Sequence, residues 1–241
     1  MPTRSDVRPD RSSTDVLWID TGSVNCYLCR DPDGYTLIDA GMPGKADLIF
    51  GRLAEFGGQP SDLARIVITH ADMDHAGSAA AVQARSGATV YAGQASAELL
   101  ATGRSPRHMP AVVQFLMDRF VRYPAVARSH IRVIGEEDEL PVLGGLRVLA
   151  TPGHTLDHHA LYSPSAGICF AGDALNTRDG RLQRTPPRIS ADQAAADRSA
   201  ARLLALSPAV IACGHGAPLI DDPAAVTALW EQLRQQIGGG R

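Results

Sequence analysis

Short apolar runs, each closed by glycine, proline or aspartate, fill the first part of the chain. Residues 16–19, 24–29 and 35–39 are predicted as three strands joined by turns at Thr21-Gly22 and Asp31-Pro32-Asp33-Gly34, most simply a hairpin meander. The period then changes. Over residues 45–56, Leu48, Ile49, Leu53 and Phe56 recur at helical spacing and stop at Gly57-Gly58. The β-branched run Ile66-Val67-Ile68-Thr69 predicts a buried strand, followed by a helix from His75 to about Arg85, a strand over 89–91 and a helix over 95–102.

Residues 105–128 carry Val112, Val113, Leu116, Met117, Phe120 and Val121 at helical spacing. Two readings weigh equally: a helix packed on the core, or a lid that forms an apolar wall beside a site. Beyond it, strands are predicted over 131–134, 139–142, 146–150, 158–162 and 168–171. A helix opens at Ser190-Ala191-Asp192-Gln193, where Ser190 and Gln193 have capping-box spacing, and runs to Leu206. The strand 209–213 follows, and Asp222-Pro223 starts the last helix as N-cap and first residue. Each half is strands followed by helices, which predicts an α/β (α+β) chain of two sheets packed face to face with helices outside.

Composition narrows the setting. With 241 residues and 44% hydrophobic content the chain can bury a substantial core. A net charge of −3 without a long Lys/Arg block argues against nucleic acid or a membrane surface as partner and favours a small-molecule substrate; it leaves a homodimer open. Residues 1–14 are polar and read as a flexible tail without the apolar centre of a secretory signal, and residues 15–241 as one domain of two halves. No apolar stretch is long enough to span a bilayer, so the cytoplasm is the expected location. Cys26, Cys29, Cys169 and Cys213 fall in or at the ends of predicted strands. In a strand, Cys26 and Cys29 point to opposite faces, so buried free thiols are expected rather than a zinc site.

The candidate chemistry is concentrated in Thr69-His70-Ala71-Asp72-Met73-Asp74-His75-Ala76-Gly77, on a strand-to-helix turn. A single helix would send Asp72 and His75 away from the face shared by His70 and Asp74, whereas a tight turn can converge all four. Three further residues follow an apolar run and sit beside glycine: His154 in Thr151-Pro152-Gly153-His154, Asp173 in Gly172-Asp173 and His215 in Gly214-His215-Gly216. Asp39, in Leu37-Ile38-Asp39-Ala40-Gly41, has the same setting. Strand ends at one sheet edge are where such folds assemble sites.

Taken together, these segments resemble the metallo-β-lactamase-fold superfamily: an Asp after an early strand, an HxHxDH turn, a TPGH segment, an Asp after Gly and a late His. The resemblance spans nearly the whole chain and implies a four-layer αββα sandwich of two mixed sheets with two divalent metal ions at one edge. Zinc is favoured, with manganese or iron as alternatives. By the family pattern His70, His154 and residue 72 hold the first metal, Asp74, His75 and His215 the second, and Asp173 bridges them. The second His of the motif is Asp72 here. As a ligand, it would make the first site more anionic and oxygen-rich, which favours harder ions. Asp39 and His158 are cast as residues that orient ligands, although a turn-stabilising carboxylate is nearly as good a reading of Asp39.

The resemblance further implies a hydrolase in which a hydroxide shared by the two metals attacks the substrate, with Asp74 also able to accept a proton. Lactone or ester hydrolysis is the expected reaction, as the compact chain with its apolar 105–128 segment looks more like the lactonase and general ester-hydrolase branches of the lactonase/glyoxalase-like group. True β-lactamases of the family place Cys where Asp173 stands, and glyoxalase-type thioesterases append a helical basic region after the last His, where this chain has about one helix. The alternatives are a mononuclear-iron sulfur dioxygenase or thioesterase, and a ligand-binding protein on a decayed site. Phe115, Met117, Phe120 and Arg178 are candidate substrate contacts. His108, His130 and His159, outside the motifs, receive no role.

Overall fold

The computed structural model describes residues 15–108 and 111–239, so the tail expected over 1–14 lies outside the described residues. Strands β1 (Val16–Asp20), β2 (Asn25–Asp31) and β3 (Gly34–Ile38) form the antiparallel meander. From β3 the sheet continues in parallel through β4 (Leu63–Ile68), β5 (Thr89–Ala92) and β6 (Ile131–Val133). Helix α1 (Ala46–Glu55) connects β3 to β4. The helices α2 (Met73–Ala76) and α3 (Ala79–Ser86) lie between β4 and β5, and α4 (Gln94–Leu100) and α5 (Ala111–Phe120) between β5 and β6.

The second sheet contains β7 (Glu139–Leu140), β8 (Leu146–Ala150), β9 (His159–Ser163) and β10 (Ile168–Gly172). The small hairpin of β11 (Leu175–Asn176) and β12 (Gln183–Arg184) and the helix α6 (Gln193–Ala205) lead back into it through β13 (Val210–Cys213) and β14 (Leu219–Ile220). Helix α7 (Pro223–Gly239) closes the described chain. The order is β14-β13-β10-β9-β8-β7, and β10 pairs with β13 in parallel. Among the described residues no helix is long and apolar enough to cross a membrane.

Alternation along the strands creates three apolar layers. Cys26, Leu28, Leu37, Ile66 and Ile68 face Ile49, Leu53 and Val82 of the helices on one side. The residues between them, Tyr27, Cys29, Ile38 and Val67, face Val148, Leu161, Phe170 and Val210 of the second sheet. On the far side Cys169, Ala171 and Ile211 pack under Leu203, Leu204, Leu229 and Leu233 of α6 and α7. The result is the αββα sandwich. The four cysteines are free and buried, with Cys26 and Cys29 on opposite faces of β2.

Phe170 is 1% exposed and meets the Tyr27 ring edge-on, with centroids 5.4 Å apart, at the middle of the inter-sheet layer. Phe170→Ala is expected to cost about 3–5 kcal/mol, because the rigid sheets on either side cannot collapse into the cavity. A urea titration checks this; a loss below about 1 kcal/mol would contradict such packing. Tyr27 also donates its hydroxyl to Cys213 O at 2.7 Å, and Asn25 Nδ2 donates to the same carbonyl at 2.9 Å. The start of β2 therefore fixes the end of β13.

Two local expectations are corrected, and of the two readings left open for residues 105–128 the core-packed one is excluded. The helix expected from His75 to Arg85 is broken into α2 and α3 at Gly77-Ser78. A Cβ on Gly77 would lie 2.3 Å from Pro43 Cδ, and Ser78 donates to Met42 O at 2.6 Å while accepting from Lys45 N at 2.8 Å. The break is the docking point of the loop after β3. Helix α6 begins at Gln193 with Asp192 as N-cap, its Oδ1 accepting from Ala195 N at 2.9 Å, in place of the capping box expected at Ser190. The amides of Ala191 and Asp192 are instead bonded to the carbonyls of His154 and Gly153, which holds the chain extended until 193. Finally, the apolar face of α5 is not core: Val112, Phe115 and Phe120 are 75%, 68% and 70% exposed, whereas Gln114 is buried. Asp222 caps α7 as expected, accepting from Ala225 N.

Candidate metal centre

Four strand ends meet at one edge of the sandwich. The ends of β3 and β4 bring Asp39 and the 70–75 turn; β10 and β13 bring Asp173 and His215, and the turn between β8 and β9 brings His154. All of His70, Asp72, His75, His154, Asp173 and His215 are buried, and Asp74 is partly exposed at the rim.

Asp72 occupies the N-cap position of α2, where an aspartate ordinarily accepts from a backbone amide two or three residues on. It makes no such bond. Its Oδ2 is turned instead into the cluster, 3.4 Å from His70 Nε2 and 3.2 Å from His154 Nε2. Across the centre, Asp173 reaches both halves. Its Oδ2 is 3.5 Å from His154 Nε2 and 3.3 Å from His215 Nε2, and its Oδ1 is 3.2 Å from His75 Nε2. Asp74 Oδ2 lies 3.5 Å from His215 Nε2.

The other nitrogen of each ring decides the tautomer. His154 Nδ1 is 2.6 Å from Ile189 O and His215 Nδ1 is 2.9 Å from Ser23 O; a carbonyl only accepts, so each Nδ1 carries the proton. His75 Nδ1 donates to Asp39 Oδ2 at 2.8 Å. Thr69 Oγ1 donates to Asp39 Oδ2 and so offers a lone pair to His70 Nδ1 at 3.0 Å. The rings of His70, His75, His154 and His215 therefore each direct an Nε2 lone pair inward. Asp39 itself stands at φ +56°, a conformation that non-glycine residues adopt at some cost, and this turn aims its carboxylate at His75. His158 has the reverse arrangement: Nε2 accepts from Asp173 N at 3.0 Å and Nδ1 faces Thr151 Oγ1 at 2.7 Å. Burial, reinforced by His70 and His154, pushes the His158 pKa well below its usual value, which keeps it neutral in that role.

The donor set suits divalent cations. His70 Nε2, His75 Nε2 and Asp173 Oδ1 are buried without a hydrogen-bond partner, although each points at other donors. Among the described residues, three groups have their ligand atoms within 4.8 Å of one another: His70, His154 and Asp173; Asp72, His108 and His154; Asp74, His75 and His215. Burial alone would raise the carboxyls of Asp72 and Asp173, yet the imidazoles around them hold both well below the usual range. Burial would likewise lower His75 and His154, but the facing carboxylates raise them. The centre thus favours positive charge between its carboxylates and its rings. A divalent cation supplies that charge and displaces the protons. Mixed nitrogen and oxygen donors fit zinc, manganese or iron.

A cavity of about 430 Å³ opens over these groups, with Met42, Met73, Pro106 and Ile189 on its walls and Arg178 at its margin. From the segment after α4 it is lined by Ser105, Pro106, His108 and Gln114. Phe115 and Phe120, named from the sequence as substrate contacts, are exposed and are not among the lining residues; the side chain of Met117 lies outside the described residues. His108, given no role from the sequence, lies with its Nε2 3.4 Å from Asp72 Oδ2 and its ring 4.7 Å from that of His154. No spacing tied it to the motifs. His159 packs under Gly93 with Nδ1 on Asp157 O, outside the centre.

The profile of the metallo-β-lactamase superfamily matches residues 19–215, and the chain belongs to that superfamily. Among similar proteins, "Probable metallo-hydrolase YflN" of Bacillus subtilis is 28% identical over 216 residues, covering 81% of each chain. A hydroxyacylglutathione hydrolase of Chromohalobacter salexigens is 42% identical over 88 residues, which cover 34% of this chain and 32% of that one. The structure of metallo-β-lactamase SMB-1 bound to 2-mercaptoethanesulfonate superposes with a TM-score of 0.69 at 22% identity over 94% of this chain and 95% of that chain, a likeness of fold.

Proposed function

We propose that the protein hydrolyses a lactone or ester bond in a small molecule, using two divalent metal ions, in the first place zinc. The observation that carries this reading is the convergence of inward Nε2 lone pairs and carboxylates beneath an open, largely apolar cavity. His70, Asp72 and His154 would hold one ion, Asp74, His75 and His215 the other, and Asp173 both. Such a pair of ions supplies a nucleophilic water at neutral pH and polarises the oxygen of the scissile carbonyl.

The remaining work falls to the protein. Asp39 orients His75, and His158 fixes the backbone at Asp173. Asp74 reaches the cavity with a partly exposed carboxylate, so it is placed to take up a proton as the bond is cleaved. Arg178, exposed at the margin, is placed to meet an anionic group of the substrate. Met42, Met73 and Pro106 supply apolar contact for the remainder.

Purified protein loaded with zinc is expected to hydrolyse lactones and simple esters, and dialysis against a chelator should abolish turnover until zinc is restored. Metal-loaded protein inactive on lactones, esters, thioesters and phosphodiesters alike would refute the reading. Thioester hydrolysis is the second reading, supported by the partial identity to hydroxyacylglutathione hydrolases. A preference for glutathione thioesters over the matching oxygen esters in the same panel would select it.

A further inference from the structure

The first metal position lacks an imidazole where the motif has Asp72, and another segment brings one to the same place. Asp72 Oδ2 is met by three Nε2 atoms: His154 at 3.2 Å, His70 at 3.4 Å and His108 at 3.4 Å. The His108 side chain is 3% exposed, so this is a built position and not a surface ring in passing contact. The segment bearing it is tied down on both sides. His108 N donates to Gln114 Oε1 at 3.2 Å, and the Tyr123 hydroxyl is 2.9 Å from both Arg104 O and Ala71 O, the latter inside the metal-type turn. Three imidazoles crowded on one carboxylate oxygen at these separations exceed what that oxygen can accept in good geometry, whereas they match donors arranged around a shared cation.

We propose that His108 is a ligand of the first metal ion, supplying from the cavity wall the imidazole that position 72 lacks. The inference rests on the two-metal reading above. It adds a donor from outside the motif segments and makes the wall of the cavity part of the metal centre. Loading the first ion should then also fasten the 105–120 segment. No covalent step is involved: the neutral ring donates its Nε2 lone pair.

The test is zinc titration of chelator-stripped protein in competition with a chromophoric chelator. Wild type, His108→Ala, His108→Phe and His154→Ala are compared, with circular dichroism confirming the fold. His108→Phe retains ring volume, which separates lost ligation from lost packing. Both His108 variants are expected to bind one zinc as wild type does and the other more weakly by at least the roughly 10- to 100-fold that loss of a ligand's hydrogen-bonding partner alone causes. Zinc should slow proteolytic cleavage within 105–120 in wild type and leave the cleavage rate unchanged in both His108 variants. Zinc isotherms that superimpose for wild type and both His108 variants, while His154→Ala weakens binding, would overturn the proposal and leave the two-metal reading standing. Wild-type protein that takes up no zinc would overturn both.

Discussion

Asp173→Ala is expected to lower kcat/KM for whichever substrate the protein hydrolyses by at least about a thousandfold, equivalent to about 4 kcal/mol of transition-state stabilisation. It is also expected to reduce bound zinc below one ion per chain. The reason is position. One carboxylate oxygen lies 3.5 Å from His154 Nε2 and 3.3 Å from His215 Nε2, and the other is 3.2 Å from His75 Nε2, so the Asp173 carboxylate reaches both halves of the candidate donor set. Its removal leaves two incomplete sites. Asp173→Asn tests the charge separately: it keeps the shape but weakens the donor, and should retain the fold with a loss of zinc of the same kind. Metal analysis alongside steady-state kinetics decides the matter. Two zinc ions per chain in Asp173→Ala, with activity within tenfold of wild type, would refute a bridging role.

Gly153→Ala is expected to destabilise the chain by about 3 kcal/mol or more, combining backbone strain with overpacking. Gly153 lies at φ +149°, and a Cβ there would stand 2.3 Å from both the N and Cα of Ala196 in the first turn of α6. Neither atom can retreat without moving the helix. The helix is moreover fastened to this loop by Asp192 N to Gly153 O and Ala191 N to His154 O, each 3.0 Å. For a chain of this length the melting temperature should fall by about 6–12 °C. Because the neighbour in sequence is His154, the same variant should bind zinc more weakly at temperatures where it remains folded. A melting temperature within about 2 °C of wild type would show that loop and helix separate freely.

The candidate site was legible through two local rules: a dense polar turn after a β-branched strand gives His70 to His75, and an apolar run closed by a polar residue at or near glycine marks the other strand ends. Asp39, His154, Asp173 and His215 stand out by the second rule alone, and the layers followed from alternation along the strands. The misreadings share a cause as well. Gly77, the start of α6 and His108 take their roles from contacts distant in sequence: Gly77 with Pro43, the amides of Ala191 and Asp192 with the carbonyls of His154 and Gly153, and His108 with Asp72. Local pattern carries no trace of such partners. Helix α5 was legible as a helix but not in its placement: its apolar period is real, yet the face it defines is exposed, and periodicity gives a face without saying what lies against it. Asp72 was legible as a departure from the motif, but only the structure shows its carboxylate leaving the N-cap amides unbonded and turning towards His70 and His154.

The strand-end origin of the donors also sets an order of events on a growing polypeptide. Four donors, His70 to His75, are made early and close together, yet each proposed ion needs at least one more from beyond residue 150, and His215 follows His70 by more than half the chain. A cation met early in synthesis finds only partial sets, from which it can exchange quickly. Tight capture waits until β13 has joined the second sheet and Asn25 has closed on Cys213 and Gly214. With metal bound as proposed, the centre would be a late seal across the two halves, and the choice of metal would be made by a nearly finished protein.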